Sequence, residues 1–234
     1  MIILMIDIII NFIDYFDKLK ILKFFKKNIQ NESINVIDIG GHKGETVKFF
    51  INNFNINKIF VFEPNIDLFV KIKQNFSDSR IKIFNYGVGF RREKKKLNIT
   101  LDSASSTINR INTNTEYFKR KKKLLAFNQK KSFFLGVQDI NVVNLSEFIL
   151  NNQKKIDILK IDTEGYEYNI LRGIHKLDFK KIRYIYFEHH YDLMIDKKYK
   201  FHDVNKLLKE NNFSLKYKLK MKFRKSFEYI YESN

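Results

Sequence analysis

The feature that most constrains this chain is an apolar run, Ile34 to Ile39, that stops in the turn Asp38-Ile39-Gly40-Gly41-His42-Lys43-Gly44. Its length and β-branched side chains read as a buried strand, and the glycines behind it admit a tight turn into a helix. Val47, Phe50, Ile51 and Phe54 then recur at helical spacing. Lys58 to Phe62 repeats the strand pattern and closes in Glu63-Pro64-Asn65, which holds the only proline of the chain and cannot continue a ladder. Asn65 suits an N-cap, with Asp67 in the first turn, for a helix to Phe76. Ile81 to Phe84 is a third strand. Strand and helix alternating over so short a span predict a parallel, doubly wound sheet. Ligands of such sheets bind outside the C-terminal ends of the strands.

The same alternation resumes at Val142-Val143, with a helix at Leu145 to Leu150, a strand at Ile156 to Ile161 and a helix at Tyr166 to Arg172. A strand at Arg183 to Phe187 and a helix at Asp203 to Asn211 follow, and Leu215 to Leu219 with Phe227 to Tyr231 are spaced as a terminal hairpin. Between the two halves the pattern lapses. Arg91 to Lys96 reads as a charged turn, Leu97 to Leu101 as a short strand, and Lys119 to Lys123 as a basic cluster, which together predict a solvated Lys-rich insertion near 89–131. Residues 31–234 are expected to form one domain, preceded over 1–30 by an amphipathic helix and a basic extension. Asp7, Asn11, Asp14 and Lys18 step by four, three and four, so they share one face of that helix. The expected use of the helix is packing on the domain's own core, with a subunit contact or peripheral membrane contact as the alternatives. The start lacks a basic n-region and a small-residue cleavage site, and no uncharged apolar stretch of about 18 residues suggests a membrane span. The expectation is a cytoplasmic protein, or one peripheral to the membrane.

The absence of cysteine excludes disulfides, thiolate zinc sites, iron–sulfur centres and a cysteine nucleophile. Lys and Arg number 44 against 26 Asp and Glu, a net charge of +18, which raises nucleic acid or an anionic membrane as partner. The surplus is mostly Lys in a sequence crowded with Ile, Asn, Phe and Tyr, whose two alanines are Ala104 and Ala126. Those favoured residues share A/T-rich codons, so compositional drift competes with a binding surface as the cause.

Four constellations carry chemistry. The Gly40 to Gly44 turn brings backbone close to a ligand and presents helix N–H groups to its negative part. A G-x-G-x-x-G reading from Gly40 would put His42 where the second glycine belongs, which argues against a dinucleotide. Glu63 follows at the tip of the next strand, about 20 residues on, where an acceptor-only carboxylate takes hydrogen bonds from ribose hydroxyls. Asp162 and Glu164 sit behind the strand Ile156 to Ile161, beside Gly165; Glu164 and Glu167 would also suit a helix N-terminus. Glu188-His189-His190 ends another strand on the same expected edge. Adjacent strand residues face opposite ways, so no metal ligand is assigned to the histidine pair.

With VIDIGGHKGETVKFF, VFEPN, the SASST stretch at Ser103 to Thr107, DILKIDTEGYEYNILRG and YIYFEHH in order, the sequence resembles the FkbM family of S-adenosylmethionine-dependent methyltransferases from Ile34 to His190. The resemblance implies a class I methyltransferase, Rossmann-like α/β fold, a mostly parallel seven-stranded sheet with a reversed last strand. It implies O-methylation of a hydroxyl on a sugar, glycan or small molecule. Asp38, Gly40 and Gly44 would cradle the methionine portion of S-adenosylmethionine, with Gly41 and His42 in the same turn, and Glu63 would hold the ribose. Asp162 would face the sulfonium and acceptor. Candidates for the base are Asp162, Glu164 and His189, expected at one edge. Ser146 stands where the family usually has Asp at a helix start, a departure expected to affect a cap. A nucleic-acid methyltransferase suits the charge, but carboxylates at the edge would repel phosphate; a non-catalytic module keeping the cofactor fold is the other alternative.

Overall fold

The computed structural model describes residues 16–30, 32–126, 132–152, 155–222 and 225–234. Asp7, Asn11 and Asp14, and with them most of the expected amphipathic helix, lie outside the described residues. The stretch expected as a basic extension is itself a helix, α1, over 16–28. Its Ile21 and Phe25, and Ile29 just beyond, are buried at a spacing of four while lysines take the other faces, so a continuous stripe docks on the sheet.

The main sheet has seven strands. They are β1 (Ile34–Ile39), β2 (Ile56–Phe62), β3 (Ile81–Phe84), β7 (Ile156–Ile161), β8 (Ile182–His190), β9 (Phe213–Lys220) and β10 (Ser226–Ser233). Their order is β3-β2-β1-β7-β8-β10-β9. Pairing is parallel up to β8, and β10, the last strand in the chain, runs antiparallel to both its neighbours. This is the class I methyltransferase arrangement expected above. Central strands β1 and β7 are mostly apolar because helices cover both faces of a parallel sheet, and Asp38 and Lys160, which interrupt them, are buried. α1, α2 (Glu45–Asn53) and α3 (Ile66–Asn75) pack on one face. α5 (Leu145–Asn152), α6 (Glu167–Leu171), α7 (Lys176–Phe179) and α8 (Phe201–Glu210) pack on the other. The cap expected at Asn65 is formed: its Oδ1 accepts the Asp67 N–H at 3.0 Å and the Leu68 N–H at 3.3 Å.

Two expectations are corrected. The region expected as a solvated insertion contributes to a second, three-stranded sheet of β4 (Gly87–Gly89), β5 (Glu93–Thr100) and β6 (Phe134–Asn144), ordered β4-β6-β5, with α4 (Glu116–Ala126) between β5 and β6 in the chain. Of the supposed charged turn, Arg91 and Arg92 lie in a bend, while Glu93 to Lys96 form the first half of β5, paired antiparallel to β6. One face of β5 is wet, so exposed Lys94 and Lys96 alternate with half-buried Glu93 and Lys95 until Leu97, which closes a small core with Ile140 and Val142. A charged run hides a strand whose partner is distant in sequence. The second correction concerns Ser146. Asn144 takes the cap of α5, accepting the Ser146 N–H at 2.8 Å and the Glu147 N–H at 3.3 Å. The buried Ser146 hydroxyl instead accepts the His175 N–H at 2.7 Å, tying the start of α7 to α5. Among the described residues, no helix is long and apolar enough to cross a membrane.

Candidate active site

At the end of β1 the chain reverses tightly, and its glycines are demanded by close approach. Gly40 has φ 88°, and a Cβ there would lie 1.9 Å from the backbone oxygen of Asp162. A Cβ on Gly41 would fall 2.3 Å from Val61 Cγ1, and one on Gly44, at φ 84°, 2.4 Å from the Phe76 ring. The Gly40 and Gly41 N–H groups donate to the Phe62 carbonyl at 2.9 and 3.1 Å, which fixes the turn against the tip of β2. His42, itself left-handed at φ 48°, places its ring 2.8 Å from Ser103 Oγ and 3.3 Å from Glu45 Oε1. The Glu63 carboxylate is buried and braced by backbone: Oε2 accepts the His42 N–H and Oε1 the Asn65 N–H, both at 2.8 Å. Burial outweighs these donors and pushes the Glu63 carboxyl up to about 7. Each oxygen retains acceptor capacity.

Across the sheet the register aligns Asp38 with Lys160 and Lys160 with Tyr186. Asp38 is fully buried and neither carboxylate oxygen has a hydrogen-bond donor; Lys160 Nζ stands 3.6 Å from Oδ1. Lys160 also reaches Asp162 Oδ2 at 3.2 Å, so one ammonium bridges the ends of β1 and β7. Burial, partly offset by Lys160, pushes Asp38 up to about 6. Burial works against the charge of Lys160, but Asp162 and Asp38 outweigh it and hold the ammonium protonated.

One row further along the strands, Glu188 pairs with Glu228 across β8 and β10. Tyr186 donates its hydroxyl to Glu228 Oε1 at 2.7 Å, and burial with Glu188 nearby pushes Glu228 up to about 7. His190 sits among carboxylates: Nε2 lies 3.5 Å from Glu164 and 3.7 Å from Glu188, and Nδ1 3.6 Å from Asp192. Burial opposes its protonation, yet Glu164, Glu188 and Asp192 raise it to about 10, so it is an imidazolium at neutral pH. Burial pushes Glu164 to about 7 despite that partner.

The Asp162 to Gly165 loop is clamped from beneath. Glu167 Oε1 accepts from the Thr163 N–H, the Thr163 hydroxyl and the Gly165 N–H at 3.2, 3.1 and 3.0 Å, while Tyr199 donates to its other oxygen. From above, Thr107 donates to the Glu164 carbonyl at 2.9 Å and Asn109 to the Gly165 carbonyl at 2.6 Å. Lys121, within the basic cluster on α4, pairs with Asp102 at 2.8 Å and also reaches Ser105, so the Ser-rich stretch is strapped across the same opening.

These groups enclose a cavity of about 560 Å³, within the range of small-molecule sites. Gly40, Gly41, His42 and Glu63 line one end, and Asp162, Glu164, Glu188 and Glu228 the other. Gly44 belongs to the same turn, and Asp38 stands behind it beside Lys160. His189 departs from the shared edge expected for it. It is on the opposite face of β8, against Tyr191, Tyr199 and Phe201, where burial and then Lys197 push its pKa down to about 3. Sequence reasoning gave no role to Lys160, Glu228 or His190. Lys160 lies inside an apolar run, and Glu228 is supplied by a strand whose register with β8 the sequence does not state.

The model of the "Methyltransferase FkbM domain" family matches residues 38–215. No curated protein matches. Among solved structures, the chain is similar to a methyltransferase FkbM from Methylobacillus flagellatus, with TM-score 0.56 at 13% identity over 89% of this chain and 46% of that one. The chain thus spans less than half the length of that protein. Magnesium protoporphyrin IX methyltransferase from Synechocystis, solved with bound S-adenosylmethionine, gives TM-score 0.52 at 10% identity over 93% and 78% of the two chains. A fibrillarin pre-rRNA processing protein from Methanococcus jannaschii gives 0.50 at 10% over 86% and 66%. At these identities the likenesses speak to fold.

Proposed function

The chain belongs to the FkbM methyltransferase family, and on that premise we propose that it transfers a methyl group from S-adenosylmethionine to a hydroxyl of a sugar, glycan or related small molecule. The observation that carries the reading is the division of one cavity between a backbone-braced carboxylate, Glu63, and a group of carboxylates on β7, β8 and β10.

The residues present fit S-adenosylmethionine. Glu63 has two buried oxygens with acceptor capacity left for ribose hydroxyls. The Gly40 to Gly44 turn presents close-packed backbone, and the Asp38 oxygens lack hydrogen-bond donors. When bound, the cofactor supplies a methyl carbon already activated by its sulfonium. The protein's work is then alignment, exclusion of water and removal of a proton from a weak nucleophile. Lys160 fixes the Asp162 carboxylate at the mouth of β7 while the Glu167, Thr107 and Asn109 hydrogen bonds hold its loop. Asp162 is assigned to take the hydroxyl proton, with Glu164, which lines the same end of the cavity, as the alternative base.

A phosphate backbone entering at this edge meets Asp162, Glu164 and Glu188, so nucleic acid is not the proposed acceptor. The proposed site of action is the cytoplasm or the membrane surface facing it. The test is transfer of labelled methyl from S-adenosylmethionine to a mixed glycan pool and to total RNA. Label in the glycan fraction is expected; label in RNA alone would replace this reading with a nucleic-acid one.

A further inference from the structure

Taking this cavity as the acceptor site, as proposed above, we infer that the acceptor carries a protonated amine close to its reacting hydroxyl, an amino sugar or similar hydroxylated amine, and that Glu188 and Glu228 receive the ammonium. The two carboxylates are direct register partners on β8 and β10, so they share a face, and both line the cavity. Like charges directly opposed across two strands are destabilising unless something lies between or beside them.

Lys160 acts on Glu228 and His190 on Glu188, but each is shared with other carboxylates. Lys160 is already engaged by Asp38 at 3.6 Å and Asp162 at 3.2 Å. His190 approaches Glu188 at 3.7 Å but serves Glu164 and Asp192 at comparable distances. Lys160 and His190, with Lys121 toward Glu164 and Lys197 toward Asp192, are thus shared among Asp38, Asp162, Glu164, Glu188, Glu228 and Asp192, a surplus of carboxylates of which Asp162, Glu164, Glu188 and Glu228 line the ligand-sized cavity. Glu188 is 6% exposed, and its Oε1 has no hydrogen-bond donor. Glu228 has one, from Tyr186.

An ionised carboxylate only accepts, and an ammonium brings three donors with the compensating charge, whereas a neutral hydroxyl brings one donor and no charge. An acidic sugar or a phosphate adds to the repulsion. A metal ion is a poorer fit, since among the described residues no three His, Asp or Glu side chains are grouped to hold one. Burial has pushed Glu164 and Glu228 up to about 7, so an ammonium arriving near neutral pH displaces protons that those groups share.

The experiment is calorimetric titration of the full chain, saturated with S-adenosylhomocysteine, with glucosamine, N-acetylglucosamine and glucuronate at pH 7. Glucosamine is expected to bind about tenfold or more tightly than its acetylated form, the effect of one charge-assisted hydrogen bond. Its heat is expected to differ between buffers of unlike ionisation enthalpy, with the sign of proton release. In Glu188→Gln the preference should fall to near unity while affinity for S-adenosylhomocysteine holds. If circular dichroism shows that variant unfolded, Glu228→Gln carries the same expectation. Equal binding of the two sugars, tighter binding of glucuronate, or a preference intact in a folded variant would overturn the inference. So would magnesium chloride alone raising the melting temperature in a Glu188-dependent way. Neutral glycans methylated without any amine preference would refute this inference and leave the proposed function standing. Amine preference with no label in any glycan fraction would do the reverse.

Discussion

The two ends of the cavity handle buried carboxylates in opposite ways. At the β1–β2 end, Glu63 is braced by two main-chain N–H groups fixed by the turn itself. At the β7–β8–β10 end, Asp162, Glu164, Glu188 and Glu228 depend on side-chain partners, chiefly Lys160 and His190, which several of them share, Lys160 with Asp38 of β1 as well. Backbone donors cost no side-chain ordering and cannot rotate away, so the first end is complete before a ligand arrives. Shared side-chain cations leave acceptors unsatisfied, so the second end is completed by what binds there. A cofactor common to a family suits the first design, and an acceptor peculiar to one member suits the second.

The sharpest way to break this contrast is Asp162→Asn, which keeps size and loses basicity. Turnover should fall by about 10²–10⁴-fold, the range for a lost general base, while cofactor affinity stays near the parent value. Single-turnover transfer alongside equilibrium binding checks it, and an unchanged rate would move the base to Glu164. Next in size is Glu63→Ala at the other end. Cofactor binding should weaken by about 1.5–3 kcal/mol, as for hydrogen bonds to a charged group, with turnover at saturating cofactor largely retained. Intact affinity in the folded variant would remove Glu63 from the ribose site.

The remaining test is stability against pH. Asp38 near 6 and Glu63, Glu164 and Glu228 near 7 stay protonated in the fold at pH values where the unfolded chain, with Asp and Glu at about 3.9 and 4.3, has released those protons. The unfolded state then binds fewer protons, so stability declines as pH rises from about 4 to 7. His190, raised to about 10, contributes stability that is complete below its unfolded value of about 6.5 and is lost as pH climbs toward 10. Melting temperatures of the cofactor-free protein should therefore fall across the whole interval, and Glu228→Gln should flatten the lower part. A rise between pH 5 and 7 would show that the acceptor end is already neutralised.

Legibility in the sequence follows the same divide. The first end is local: Asp38, Gly40, Gly44 and Glu63 sit in turns whose residue types announce their backbone, and β1, β3 and β7 appear over the same residues as in the structure. The second end is made by register. Which residue of β8 faces which residue of β10, and that Lys160 lies between Asp38 and Asp162, follow from pairings between distant segments. The strand alternation that separates His189 from His190 was available in the sequence, yet only the packing of Tyr199 and Phe201 shows which of the two turns away from the cavity. The first half of β5 escaped because Lys94 and Lys96, exposed on either side of Lys95, are compatible with a strand's wet face as well as with a turn, whereas its second half is legible as the strand at Leu97 to Leu101.

The missing Cβ of Gly40 bears on how such a protein can be re-engineered. The Asp162 carbonyl occupies the space a side chain would take, and the Asp162 N–H donates to the Ile39 carbonyl at 2.9 Å. Two segments far apart in the chain therefore form one mechanical joint. A chimera that imports only the loop after β7 from a relative, to redirect what is methylated, inherits a joint cut through the middle. Recombination boundaries should fall outside both segments, so that the turn after β1 and the loop after β7 travel together as a single cassette.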